Sequence, residues 1–133
     1  MCAKVEGNPI ISTGVDVFVV RLKYKKQVVS IFGKASWKIG LPSKKVNIGT
    51  TDGFVRRGYF SFPSLYDAFT YKNQMLKRRV GQWPIREEMG YAIFKATIPK
   101  GTKYVRGTIH KRCYGGGMNV YVSEKLMHVE EVQ

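Results

Sequence analysis

Only one segment of this chain carries a sustained helical repeat, and that limits the architectures open to it. Leu65, Ala68, Phe69, Lys72 and Leu76 recur at i, i+3, i+4 and i+7 spacing, with Met75 alongside. Pro63 stops the preceding segment, and Ser64 with Asp67 three residues on forms a Ser-x-x-Asp variant of the capping box. Lys77-Arg78-Arg79 occupies the last turn, where cations complement the helix dipole, and Gly81 follows as a cap residue. A helix is therefore expected from Ser64 to Arg79.

The remainder reads as short strands cut by Gly and Pro. Val15 to Tyr24 is rich in β-branched and aromatic residues, and Lys25-Lys26 forms a turn into Gln27 to Phe32, predicting a hairpin. A short Trp37 segment lies between Gly33 and Gly40, and Val46-Asn47-Ile48 reads as an edge strand. Further strands are expected at 57–62, 91–98, 103–109, 118–123 and 126–132, and Phe18, Phe60, Phe62, Phe69 and Phe94 are the expected core rings. The sum is a compact α+β fold: six to eight short, mostly antiparallel strands and one central helix. At 133 residues the chain is long enough for one core without staples. Residues 1–14, polar and broken by Gly7, Pro9 and Gly14, read as a short N-terminal arm with one strand around Ile10-Ile11; residues 15–133 form a single basic domain.

Charge is the least ordinary property. Against 23 Lys+Arg stand 9 Asp+Glu, a net charge of +14. Residues 17–51 hold eight cations and no acid, 68–86 five and none, and 89–123 six and none. Solubility needs a net charge of only about 2–8 in magnitude, so the excess points to an anionic partner: nucleic acid first, an acidic protein surface second. The candidate nucleic-acid contacts are Lys23, Lys25, Lys26, Lys38, Lys44, Lys45, Lys77, Arg78, Arg79, Lys103, Arg106, Lys111 and Arg112. Aromatic residues interleave with this charge. Bases of single strands stack on such rings while cations track phosphates, which makes Trp37, Trp83, Tyr104 and Tyr114 the stacking candidates.

Other classes are poorly supplied. Cys2 and Cys113 are too few for a disulfide framework and read as reduced intracellular thiols; with His110 and His128 they show no zinc-ligand spacing, and no metal is expected. No apolar run reaches a membrane span or a secretory core, so the expected setting is intracellular or inside a virion. Gly115-Gly116-Gly117 lacks the Lys-Ser/Thr and helix of a phosphate loop.

Gly58-Tyr59-Phe60-Ser61-Phe62-Pro63-Ser64-Leu65-Tyr66-Asp67-Ala68-Phe69-Thr70-Tyr71 resembles the Gly-aromatic-aromatic strand and following helix of ADP-ribosyltransferases. The resemblance implies an NAD cofactor, with Arg21 on the phosphates or ribose, Ser61 beside the nicotinamide and Glu124 stabilising an oxocarbenium-like transition state. The family's Ser-Thr-Ser triplet is here Ser61-Phe62-Pro63-Ser64, and the early strand has no His-Gly pair. The leading expectation is a non-enzymatic binding module without cofactor, of viral or mobile-element type, contacting nucleic acid or another polyanion. The alternatives are a small mono-ADP-ribosyltransferase-like enzyme and an assembly protein that binds an acidic protein surface.

Overall fold

The computed structural model describes residues 3–24, 27–29, 36–79, 89–110 and 116–132. In chain order its elements are β1 (Ala3–Ile11), β2 (Val15–Tyr24), β3 (Gln27–Val29), β4 (Ser36–Trp37), β5 (Gly49–Thr51), β6 (Phe54–Arg57), β7 (Tyr59–Ser61), α1 (Leu65–Arg79), β8 (Met89–Ile98), β9 (Lys103–Ile109), β10 (Asn119–Ser123) and β11 (Met127–Val132). The strands form a six-stranded sheet, ordered β5-β6-β1-β9-β10-β7, and a five-stranded sheet, ordered β11-β8-β2-β3-β4. Every pairing between named strands is antiparallel. The fold is thus α+β, mostly antiparallel β with one helix. Strands of two or three residues (β3, β4, β5, β7) raise the number above the six to eight expected.

Two strand pairs carry the chain through both sheets. β2 pairs with β8 from Val15–Ile98 to Tyr24–Met89, and β1 pairs with β9 in the other sheet. Together they form a bent ribbon whose corner lies at Ser12 and at the β8–β9 turn. There the Ser12 N–H donates to Thr102 O at 2.8 Å and Ser12 O accepts from the Gly101 N–H at 2.8 Å. The Ser12 hydroxyl donates to Ile98 O at 2.8 Å and accepts from the Gly14 N–H at 3.0 Å. Ser12 is buried and needs such pairing, because buried backbone groups that leave a ladder without partners cost free energy.

β2 and β8 are buried on both faces, which is why they read as continuous apolar runs. On one face Val20 and Leu22 stand opposite Ile93 and Tyr91, and α1 covers them with Ala68, Tyr71 and Met75. On the other, Val17, Val19, Phe94, Ile98 and Leu126 pack with Tyr104 of β9. Phe18 and Phe62 exchange both backbone hydrogen bonds at 2.7 Å, joining the end of β7 to the free edge of β2 and stitching the sheets together. A third cluster, Val55, Val105 and Val122, fills the inner face of the six-stranded sheet. Gly107 lets β1 approach β9 closely: a Cβ there would stand 2.7 Å from Lys4 O.

Two expectations change. The strand expected at Ile10-Ile11 extends back to Ala3, so the arm is β1, an interior strand between β6 and β9; Lys4 and Glu6 alternate with Ala3 and Val5 because one face of this part of the sheet meets solvent. The helix forms as expected, capped by Ser64, whose hydroxyl accepts from the Asp67 N–H, but its buried stripe is rotated. Phe69 is 41% exposed, whereas Tyr71 is 2% exposed and tilted against Phe62 at 5.2 Å. Both stripes have helical spacing, and the fit of the Tyr71 ring over β2 and β8 decides between them.

Ser12→Ala is expected to cost about 1–3 kcal/mol by removing the hydroxyl that donates to the buried Ile98 O, read as a lowered urea midpoint with an unchanged slope.

Candidate nucleic-acid interface

Residues directly opposite one another in an antiparallel ladder share a face. Lys4 stands opposite Phe54 on one side and Thr108 on the other, and Glu6 opposite Arg106. Arg106 stands opposite Tyr121, and Thr108 opposite Asn119. Two-residue periodicity adds Arg56 beside Phe54 and His110 beyond Thr108. The opposite face of the same strands carries Ala3, Val5, Val55, Val105, Val120 and Val122, which are buried or half-buried. One side of these strands is therefore core; the other is polar and open from Arg56 and Lys4 to Arg106 and Asn119, and closes into the core where Tyr104, on the same side of β9 as Arg106, packs against Tyr121.

On the open side Lys4, Arg56, Arg106, His110 and Asn119 are exposed, and Phe54, Thr108 and Tyr121 are half-buried. Among the described residues no hydrogen bond or ion pair engages the side chains of Lys4 and Arg106. The Phe54 and His110 rings lie 5.8 Å apart at 57°. Glu6 accepts a hydrogen bond from the Thr108 hydroxyl. A groove of about 450 Å³ crosses this side, lined by Glu6, Gly7, Pro63, Arg106, Gly107, Asn119, Val120 and Tyr121. The face thus combines free cations, partly exposed rings and a polar hollow, which suits it to phosphates and planar groups together.

Of the cations singled out from the sequence, Arg106 reaches this face. Lys103 is exposed at the start of β9, on the other side of the strand by alternation. Lys38, Lys44 and Lys45 are exposed on or beside a segment that runs along β11, where Gly40, Ser43 and Val46 N–H groups donate to His128, Leu126 and Glu124 carbonyls. Lys23 lies in β2, Trp37 in β4, and Lys77, Arg78 and Arg79 end α1. Lys25, Lys26, Lys111, Arg112, Trp83, Tyr114, Cys2 and Cys113 lie outside the described residues. Tyr104 is a correction. Its ring is 8% exposed and packs on Tyr121 at 5.2 Å, so it belongs to the core and cannot offer its face to a base. Lys4, Phe54, Arg56, His110, Asn119 and Tyr121 were not singled out; the alternations Ala3-Lys4-Val5-Glu6 and Phe54-Val55-Arg56 are the signal that marks them.

The three residues of the transferase resemblance, Ser61, Glu124 and Arg21, lie in β7, just after β10 and in β2. Ser61 is fully buried and its hydroxyl donates to Tyr121 O at 3.4 Å. Glu124 is buried beyond β10, its N–H donating to Lys103 O. Arg21 is half-buried; its Nε donates to His128 Nε2 at 3.2 Å and its Nη1 to Val20 O at 3.2 Å. Burial lowers the Arg21 pKa to about 10, leaving it charged at neutral pH. Burial first, and the Arg21 charge second, lower the His128 pKa to about 3. The imidazole also lies edge-on to Phe94 at 5.9 Å. Among the described residues no group of three or more His, Cys, Asp or Glu is placed to hold a metal, and no helix is long and apolar enough to cross a membrane. No protein-family model, curated protein or solved structure matches the chain.

Because His128 is held neutral in the fold but titrates near 6.5 when unfolded, the unfolded chain binds more protons below that pH. Its contribution is complete above about pH 6.5 and is lost as pH falls toward 3, by up to about 1.4 kcal/mol per pH unit. His128→Gln keeps an acceptor for Arg21 without titrating, so its urea midpoint is expected to vary less than the wild type's between pH 6 and pH 4.

Proposed function

We propose that this protein is a non-enzymatic nucleic-acid-binding module that uses the open side of β6, β1, β9 and β10. The observation that carries the reading is the pairing of Lys4 and Arg106, cations whose side chains no other described residue engages, with the half-buried rings Phe54 and Tyr121 on one sheet face whose reverse is core. Lys4 and Arg106 neutralise phosphates and release counterions, giving affinity that carries little sequence information by itself. Rings beside them favour single strands, whose unpaired bases have faces free to stack. The net charge of +14 draws any polyanion toward the surface and speeds encounter.

Fluorescence anisotropy with a labelled single-stranded oligonucleotide, repeated at several salt concentrations, tests this. Affinity is expected to fall linearly on a log–log plot. Arg106→Gln and Lys4→Gln are each expected to weaken binding and to reduce the salt slope by about 1. Lys100→Gln, on the β8–β9 turn, is expected to change binding less. Undetectable binding at about 50 mM salt, where phosphate contacts are strong, would exclude nucleic acid and leave an acidic protein surface as the anionic partner.

A further inference from the structure

The groove on the open face exists because β1 leaves its register. Glu6 pairs with Arg106 and the next pairing is Ile10 with Tyr104, so Gly7, Asn8 and Pro9 stand against Val105 alone. The displaced chain forms one wall, Pro63 beyond β7 forms another, and the β9 and β10 backbones at Gly107 and Val120 form the floor. Its volume of about 450 Å³ lies within the range of sites for single small ligands. It is matched to one nucleotide rather than to a helix or a folded surface.

Glu6 is the informative wall residue. An exposed carboxylate among Lys4, Arg56 and Arg106 opposes phosphate, so electrostatic contact does not account for it. Although Arg106 stands directly opposite, Glu6 takes its hydrogen bond from the Thr108 hydroxyl, which orients the carboxylate. Arg106 and the Asn119 amide border the same groove as donors. An ionised carboxylate only accepts, so it favours a base edge with adjacent donors. Guanine presents N1–H and the N2 amino group side by side, with O6 next to them as an acceptor. Adenine, cytosine and thymine each set a ring nitrogen or carbonyl acceptor beside their donor, where it would face the carboxylate, and that repulsion discriminates as much as the attraction does.

We infer that the groove takes one unpaired guanine, with Glu6 accepting from N1–H and the N2 amino group and with Arg106 or Asn119 donating to O6. This rests on the nucleic-acid reading above and adds base selectivity to it. Tyr121, held against the buried Tyr104, borders the groove as a fixed ring.

The test uses the full chain and four labelled oligothymidylates of equal length: unsubstituted, or carrying one central dG, dA or dC. Anisotropy at one fixed salt concentration is expected to show the dG probe bound roughly tenfold tighter than the others, as one good bidentate base contact provides. Glu6→Gln is expected to bring the four probes to a common affinity, and Asn119→Ala to shrink the dG preference; circular dichroism checks that both variants fold. Equal binding of all four probes by the wild type, or preference for another base, overturns the guanine site and leaves the phosphate contact standing. A dG preference that survives Glu6→Gln overturns the assignment to Glu6. Failure to bind any probe overturns the nucleic-acid reading and the guanine site with it.

Discussion

Ser12 holds the place where the main ribbon of the fold turns from one sheet into the other. A strand pair that changes sheet must abandon its ladder for a residue or two, and Ser12 is buried at that point although Thr13, Gly14, Lys100 and Gly101 around it are exposed. Ser12 closes that gap four times, through its own N–H and C=O and through both the donor and the acceptor of its hydroxyl. The β1/β9 and β2/β8 pairs depend on this corner for their relative direction. So do the clusters that form where they cross, because Tyr104 and Val17 meet only if the ribbon bends there.

The bend produces an unequal division of burial. β2 and β8 are enclosed by α1 on one side and by β9 and β11 side chains on the other, while β6, β1 and the parts of β9 and β10 beside them, away from the buried Tyr104, are covered on one side only. A half-covered sheet displays alternate residues of every strand to solvent. Here that display places side chains distant in sequence, Lys4, Phe54, Arg106 and Asn119, on neighbouring strands. The bulge at Gly7 to Pro9 then hollows the surface.

The cations divide by environment. Arg21 is held against a neutral imidazole and a backbone carbonyl, and the low His128 pKa is the cost of enclosing both groups. Lys4 and Arg106 have no such engagement among the described residues and face solvent. The aromatic residues divide similarly: Tyr104 is enclosed, while Phe54 and Tyr121 keep part of their surface at the open face.

Local chemistry by itself determined the α+β class, the capped helix after Pro63, the β2–β3 hairpin and the excess of positive charge. Each follows from neighbouring residues: propensity, periodicity, capping and turn preference act within a few positions, and charge is a sum. What surrounds each element was decided by tertiary structure alone. Tyr71 and Phe69 lie on stripes of equal helical merit, and packing over β2 and β8 chose Tyr71. Polar residues 3–11 resemble an arm until β6 and β9 flank them and give their alternation an inside and an outside. Lys4 and Arg106 are about a hundred residues apart in sequence, beyond the reach of any local pattern; they share a surface because antiparallel pairing sets their strands side by side in a register that aims both at solvent.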